Sequence, residues 1–316
     1  MLIKGVWSEP WHPYQGDNQD GDFRRQPATV RNWITPDGQA GPTGVNEFAA
    51  EPGRYRLYVS LLCPWACRTL MARQWLGLSK VIKVTILDPV MGLQGWRFTS
   101  VDPDPVMGAH YLHQLYTRND PRFTGRSTVP VLWDDARDIM VNNESADILR
   151  MLDSAFAPWS RPDATLRPEG LSTAIDDLNA SLYNKFNNGV YRAGFARNQT
   201  AYEEAVADVF ALLDNLEQRI LDNGPYLFGA TFTESDIRLF VTLARFDAAY
   251  HGLFKCNRRR IADYPALTVY LRRIYALPGI AETVNLDHIK AGYYGLKSLN
   301  PNGIIPTGPD DPFVAA

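Results

Sequence analysis

One local pattern restricts the fold of this 316-residue chain more than any other feature of its sequence. A strand-like run at residues 55–62 ends at Cys63-Pro64, where the spacing of the apolar residues changes to that of a helix. The helical spacing continues to Leu76, Gly77 ends it, and a second strand-like run covers 81–87. Strand, helix and strand within about thirty residues form a βαβ unit. Its two strands are expected to be parallel because a helical crossover joins them.

The segments after the βαβ unit complete the order of a thioredoxin fold. Residues 88–127 are rich in Pro, Gly and Asp, and a stretch this long is expected to be functional or to carry short helices. Strand-like runs at 129–133 and 139–141 predict a hairpin, and a helix is predicted at 146–152. The order β-α-β, loop, β-β-α predicts an α/β thioredoxin-like N-terminal domain.

The second half of the chain is predicted to be helical throughout. Apolar residues recur at i, i+3, i+4 and i+7 in four segments, at 171–186, 201–221, 234–250 and 266–275. Thr233 to Asp236 has the form of an N-terminal capping box, with Asp in the place of Glu. The sequence therefore predicts a thioredoxin-like domain at 54–155 and an all-α C-terminal domain at 165–290, flanked by an irregular arm at 1–53 and an extension at 291–316.

Charge and cysteine content exclude several classes of protein. The 32 basic and 35 acidic residues leave a net charge of -3, which argues against a broad basic surface that binds nucleic acid. Three cysteines cannot build a disulfide scaffold, and so few are typical of a reducing compartment. The N-terminus carries no signal-peptide run, and no apolar stretch approaches the ~20 residues of a membrane span. We expect a cytoplasmic protein that binds neither nucleic acid nor membrane.

Cys63 is the strongest candidate for a reactive residue. With Cys63 at the cap position of the predicted helix, Pro64 falls at the first helical position, where its missing N–H costs nothing. The thiol then faces unpaired N–H groups, which favour the thiolate and lower its pKa below the ordinary value of about 8.5. Cys67 lies four residues later, too far for an internal disulfide, so it and Cys256 are expected to be packed residues. Cys63 is therefore expected to need an external thiol to resolve it.

Two further motifs have both a structural and a functional interpretation. Val129-Pro130 stands where a thioredoxin fold has a cis-proline that exposes the preceding backbone to a peptide-like ligand. Glu144-Ser145 is either a helix cap or a site for the amino and carboxylate groups of a ligand. His110 and His113 have no accompanying His or Cys cluster, so no metal site is expected. The glycines form no phosphate-binding motif, so no nucleotide is expected either.

Several longer segments resemble one known family. They are Ser60-Leu61-Leu62-Cys63-Pro64-Trp65-Ala66, Arg68-Thr69-Leu70, Gly95-Trp96, Tyr116, Phe123 to Asp134, Val141 to Ser145, Asn187 to Ala196, Phe254-Lys255-Cys256-Asn257, His288-Ile289-Lys290, Tyr293-Tyr294 and Asn300 to Pro306. Together they resemble the glutathionyl-hydroquinone reductases, the xi class of the glutathione transferase superfamily. The resemblance runs from the N-terminal arm almost to the C-terminus.

The resemblance implies a function and a set of site residues. It implies a homodimer that reduces glutathionyl-hydroquinones with glutathione as co-substrate and releases hydroquinone and glutathione disulfide. By position, Cys63 matches the nucleophile, Tyr191 the acid–base tyrosine, and Tyr250 and Tyr293 tyrosines near the thiol. The glutathione site is matched by Trp96, Arg126, Ser127, Thr128, Val129, Glu144 and Ser145. The chain departs from the family pattern at Gly292 and Leu296-Lys297, which leaves the choice between Tyr293 and Tyr294 open and predicts an altered aryl site.

The sequence also leaves two other functions open. Cys63 would serve an omega-like thiol transferase or a monothiol glutaredoxin-type reductase as well, although Trp65 and the tyrosines suit an aryl leaving group. The third alternative is a non-catalytic binding module on a transferase fold, against which the presence of Cys63 argues. A single activated thiol without a resolving partner favours a reaction that passes through a mixed disulfide with glutathione.

Overall fold

The computed structural model describes residues 1–8, 20–309 and 311–313. The rest of the predicted arm (9–19) and of the predicted extension (310 and 314–316) lies outside the described residues. The chain forms two compact units, the first from residues 1–12 with 27–165 and the second from 13–26 with 166–316. The predicted arm thus contributes residues to both units, and the domain boundaries drawn from the sequence stay a prediction.

The first unit is built on a four-stranded mixed sheet in the order β4-β3-β5-β6. Its strands and helices are β1 (Leu2–Ile3), β2 (Val6–Trp7), β3 (Tyr55–Val59), α1 (Pro64–Trp75), β4 (Lys83–Ile86), α2 (Leu112–Asn119), β5 (Val131–Asp134), β6 (Ile139–Asn142) and α3 (Ser145–Ser154). β3 runs parallel to β4 and antiparallel to β5, and β5 pairs antiparallel with β6. The predicted βαβ unit and hairpin are confirmed.

The residues at its two ends explain where α1 begins and ends. α1 begins at Pro64 and is followed at Gly77 by a left-handed backbone with φ of +75°, which glycine adopts without a steric cost. β3 runs through the centre of the sheet, and Leu57, Tyr58 and Val59 are fully buried. The long segment before β5 contains α2, which confirms that it carries a short helix.

The second unit is helical. Its helices are α4 (Ser172–Ser181), α5 (Gly189–Gly194), α6 (Gln199–Asn223), α7 (Glu234–Arg245), α8 (Pro265–Tyr275) and α9 (Leu286–Tyr294). In two of the four predicted helices the α-helical part ends earlier than predicted. The residues that follow α4 and α7 form π-helical turns, at Leu182–Asn187 and Phe246–Tyr250. α7 is buried on all sides and forms the core of the unit. Within the described residues, no helix combines the length and the hydrophobicity that crossing a membrane requires.

The predicted capping box at the start of α7 is confirmed, and its aspartate is buried. Asp236 accepts hydrogen bonds from the Thr233 backbone N–H at 2.8 Å, from the Leu227 N–H at 2.9 Å and from the Tyr270 hydroxyl at 2.9 Å. Burial nevertheless raises the pKa of Asp236 to about 6. The carboxyl group therefore holds its proton more tightly in the folded chain than in the unfolded chain.

We expect Asp236 to make the protein less stable as the pH rises from 4 to 6. Because the folded pKa lies above the unfolded one, this contribution is fully present below pH 4 and is lost as the pH passes 6. The free energy of unfolding falls by up to about 3 kcal/mol over this range, the equivalent of about two pKa units. Urea unfolding of the wild type and of Asp236→Asn at several pH values measures it. A free energy of unfolding that rises with pH in the wild type relative to Asp236→Asn, between pH 4 and 6, would contradict this assignment.

Candidate functional site

Cys63 lies where the sequence analysis placed it, at the junction of β3 and α1. It is the N-cap of α1, with an extended backbone, and Pro64 is the first helical residue. The side chain is half-buried, and its Sγ lies 3.7 Å from the carbonyl oxygen of Val129. The Val129-Pro130 peptide bond is cis, as the thioredoxin pattern predicts. The thiol of the N-cap residue is thus placed beside the cis-proline segment of the first unit.

The other two cysteines are packed residues. Cys67 on α1 and Cys256 in the second unit are both fully buried, and none of the three cysteines forms a disulfide. Burial raises the pKa of the Cys256 thiol to about 12, so it stays protonated at neutral pH. Cys63 is therefore the thiol of the three that a solute can reach.

Glu144 and Ser145 form the N-terminus of α3. Glu144 is the N-cap and uses Oε1 to accept a hydrogen bond from the Ala146 N–H at 3.1 Å, which confirms the helix-cap interpretation. A carboxylate can accept about four hydrogen bonds, so the cap leaves capacity for a ligand. The Ser145 hydroxyl is buried and has no hydrogen-bond partner among the described residues. Such a group costs about 1–3 kcal/mol unless a ligand or water satisfies it.

The arm reinforces this helix start in a way that the sequence did not reveal. The Asn32 N–H donates to the Val141 carbonyl at 3.0 Å, and the Asn143 N–H donates to the Val30 carbonyl at 3.1 Å. These bonds add residues 30–32 along the free edge of β6. Arg31 also donates from Nη2 to Asp147 on α3 at 2.9 Å. The arm therefore makes contacts both with the residues just before Glu144 and with the first turn of α3.

The remaining residues matched to the glutathione site lie in two loops of the first unit. Trp96 is 7% exposed, and its carbonyl accepts a hydrogen bond from the Leu112 N–H at the start of α2. Ser127 is buried, whereas Arg126 and Thr128 are half-buried. Thr128 precedes Val129, so this loop leads directly to the carbonyl beside Cys63.

The three candidate tyrosines meet in the second unit. The hydroxyl of Tyr293 lies 2.7 Å from the hydroxyl of Tyr191 and 2.7 Å from that of Tyr250. Tyr250 and Tyr293 are buried, and burial raises the pKa of both phenols well above 10. Tyr191 is the half-buried end of the chain of hydroxyls. This unit brings Tyr293, rather than Tyr294, together with the other two.

Aromatic and cationic groups surround Tyr191. Its ring centroid lies 5.4 Å from that of Phe254, and the guanidinium of Arg25 lies 4.7 Å above the ring. Phe23, from the arm, packs on the same ring at 6.2 Å. The sequence indicates Phe23 only as one of several aromatic residues that anchor the arm, and nothing in the local pattern of residues 23 and 25 indicates which side chain they contact. Among the described residues, no group of three or more His, Cys, Asp or Glu side chains is placed to hold a metal ion.

Comparisons with known proteins agree with this geometry. Residues 62–155 match the family described as Glutathione S-transferase, N-terminal domain, and residues 199–273 match Glutathione S-transferase, C-terminal domain. The chain is 49% identical to the glutathionyl-hydroquinone reductase YqjG of Escherichia coli, over 98% of this chain and 95% of the relative. It is 46% identical to the glutathionyl-hydroquinone reductase PcpF of Sphingobium chlorophenolicum, over 99% and 97%.

Solved structures are similar over the same length. The glutathione-bound structure of Escherichia coli YqjG superposes with a TM-score of 0.90 at 46% identity, over 99% of this chain and 97% of that one. The xi glutathione transferase of Phanerochaete chrysosporium superposes with a TM-score of 0.88 at 43% identity, over 94% and 96%. A thioredoxin-like unit followed by a helical unit is thus the architecture of this chain.

Proposed function

This chain belongs to the glutathionyl-hydroquinone reductases of the glutathione transferase family, and we propose that it reduces glutathionylated hydroquinones with glutathione. The products are the free hydroquinone and glutathione disulfide. The observation that carries the proposal is the Cys63 thiol at the start of α1, 3.7 Å from the Val129 carbonyl. We further propose that the protein is a cytoplasmic homodimer; sedimentation of the purified protein tests the dimer, and cell fractionation tests the location.

The reaction takes place in two steps, in each of which a thiolate attacks a glutathione sulfur. In the first, the Cys63 thiolate attacks the glutathione sulfur of the conjugate, and the bond between that sulfur and the ring carbon breaks. The electron pair passes to the ring carbon, which takes up a proton, while Cys63 and glutathione form a mixed disulfide. In the second exchange, another glutathione thiolate attacks the glutathione sulfur of this disulfide and regenerates Cys63. The ring carbon is reduced, and two glutathione sulfurs end as the disulfide.

Glutathione is assigned to the first unit. Its glutamyl end carries an ammonium group, which donates hydrogen bonds to the Glu144 carboxylate, and a carboxylate. The latter accepts from the N-terminus of α3 and from the Ser145 hydroxyl, for which the described part of the chain offers no other partner. The backbone of Val129 pairs with the cysteinyl residue beside Cys63. Four loop residues bind the glycine end of glutathione or orient the Val129 backbone: Trp96, Arg126, Ser127 and Thr128.

The proton is assigned to Tyr191. A phenol with a pKa near 10 keeps its proton at neutral pH and can still deliver it to a developing carbanion. Once Tyr191 has lost its proton, the Tyr293 hydroxyl 2.7 Å away must be the donor of the bond between them and stabilises the phenolate; the Tyr250 hydroxyl, 2.7 Å from that of Tyr293, is then left to donate to Tyr293. Burial keeps the phenols of Tyr250 and Tyr293 protonated, so this chain of donors is available at every physiological pH.

A direct assay tests the proposed function. Purified protein is given glutathione and either a panel of glutathionyl-hydroquinones or a simple mixed disulfide of glutathione with a small alkyl thiol. We expect turnover of the hydroquinone conjugates to be much faster. A strong preference for the alkyl disulfide would identify a thiol transferase instead, and binding without any glutathione-dependent turnover would identify a non-catalytic module.

We expect Glu144→Ala to weaken glutathione binding about tenfold or more, the usual value of a hydrogen bond to a charged group, and to change kcat at saturating glutathione much less. The effect follows from losing the acceptor for the ammonium group. Since Glu144 also caps α3, Glu144→Gln is the matched control, because it keeps an oxygen for the Ala146 N–H and removes only the charge. Both variants should raise the KM for glutathione. Unchanged affinity in Glu144→Gln would move the ammonium site elsewhere.

A further inference from the structure

Tyr116 on α2 makes a set of hydrogen bonds that joins two separate loops. The side chain is fully buried. Its hydroxyl donates to the Thr128 carbonyl at 2.8 Å and accepts from the Thr128 N–H at 3.1 Å and from Nδ2 of Asn143 at 3.1 Å. A phenol has one donor and two acceptor sites, so every site is used.

The two loops are those to which the proposed function assigns glutathione. Thr128 directly precedes Val129, whose carbonyl lies beside Cys63, and Asn143 directly precedes Glu144. One oxygen atom therefore connects the backbone assigned to the cysteinyl residue with the helix start assigned to the glutamyl residue. The same helix also holds the third segment, because the Leu112 N–H donates to the Trp96 carbonyl at 2.9 Å.

We propose that Tyr116 is a positioning residue for glutathione, and that its hydroxyl sets the spacing between the Val129 backbone and the Glu144-Ser145 helix start. The proposal rests on the proposed function. Because Thr128 and Asn143 occupy every hydrogen-bonding site of its hydroxyl, Tyr116 acts through these two residues and does not itself bind the ligand. A peptide-like ligand that spans both segments binds tightly only when their separation is set before it arrives.

The two segments depend on Tyr116 to different degrees. Asn143 has a second anchor, because its backbone N–H donates to Val30 and its Oδ1 accepts from the Val30 N–H at 3.1 Å. For Thr128, by contrast, the phenol occupies both the backbone N–H and the carbonyl. Removing the hydroxyl should therefore release mainly the Thr128-Val129 segment, while the helix start at Glu144 stays in place.

Tyr116→Phe tests the proposal, with Tyr55→Phe as its matched control. Tyr55 is equally buried in the same unit, and its hydroxyl donates to the Ala49 carbonyl at 2.6 Å, away from both segments. Calorimetry with glutathione alone should show a Kd about tenfold higher for Tyr116→Phe and changed by less than about twofold for Tyr55→Phe. Urea unfolding should show a lower midpoint for both. In steady state, the KM for glutathione should rise in Tyr116→Phe, while kcat at saturation stays within about twofold of the wild type.

The outcomes separate this proposal from the proposed function. An unchanged Kd in folded Tyr116→Phe, or an equal rise in both variants, overturns the positioning role even if wild-type turnover is normal. Wild-type protein that binds glutathione but does not turn over hydroquinone conjugates overturns the function and leaves the Kd comparison valid. If Tyr116→Phe does not fold, Asn143→Asp replaces the Nδ2 donor to the Tyr116 hydroxyl but keeps an oxygen for the Val30 N–H, and it should raise the Kd about threefold; an unchanged Kd there overturns the proposal too.

Discussion

Replacement of Cys63 with alanine is expected to reduce turnover of glutathionyl-hydroquinones to background, a loss of more than about 10³-fold. The mixed disulfide needs a thiolate that the conjugate can reach. Cys67 and Cys256 are fully buried, and the pKa of Cys256 is raised to about 12, so neither can take over. Steady-state release of free hydroquinone, followed by chromatography, measures the loss, and circular dichroism verifies that the variant is folded.

Cys67→Ala is the matched control for this experiment. It removes a thiol from the same helix, one turn further on, and should keep most of the activity because that thiol is packed in the core. Mass spectrometry of wild-type protein treated with glutathione disulfide should show one adduct, on Cys63, and none in Cys63→Ala. If both variants fold and both lose activity, a dithiol cycle replaces the monothiol scheme.

Tyr191→Phe is expected to slow hydroquinone release by about 10²–10⁴-fold, the usual value of general acid catalysis. The leaving group is a ring carbanion, which must be protonated as the bond to sulfur breaks. The variant loses the proton donor and keeps the ring that packs against Phe254. Exchange of a simple alkyl disulfide needs little protonation of its leaving thiolate, so that activity should fall much less.

The ratio of the two activities is the decisive measurement. Tyr294→Phe serves as control, because Tyr294 neighbours Tyr293 on α9 but takes no part in the hydrogen bonds that link Tyr191, Tyr250 and Tyr293. It should leave both activities near the wild-type level. Equal losses in the two assays for Tyr191→Phe would mean that Tyr191 supports binding or structure and donates no proton.

Much of the framework follows from short-range sequence pattern. The strand, the Cys63-Pro64 junction and the helix that follows depend on residues within one or two turns of each other, as does the capping box at Asp236. Local pattern places such elements because backbone hydrogen bonds and caps form between near neighbours. It placed α1 within one residue and indicated Cys63 as the candidate reactive thiol from its position alone.

Contacts between distant residues were decided by the tertiary structure alone. Tyr293 and Tyr294 are adjacent and chemically identical, and only the packing of α9 brings the Tyr293 hydroxyl to that of Tyr191, 102 residues away in sequence. The sequence does not indicate the partners of the Tyr116 hydroxyl, which the structure places between Thr128 and Asn143. The irregular arm at 30–32 carries no period, yet it pairs along β6. Sequence determines which groups are available, whereas the partner of a buried hydroxyl or of a sheet edge depends on which distant segment packs against it.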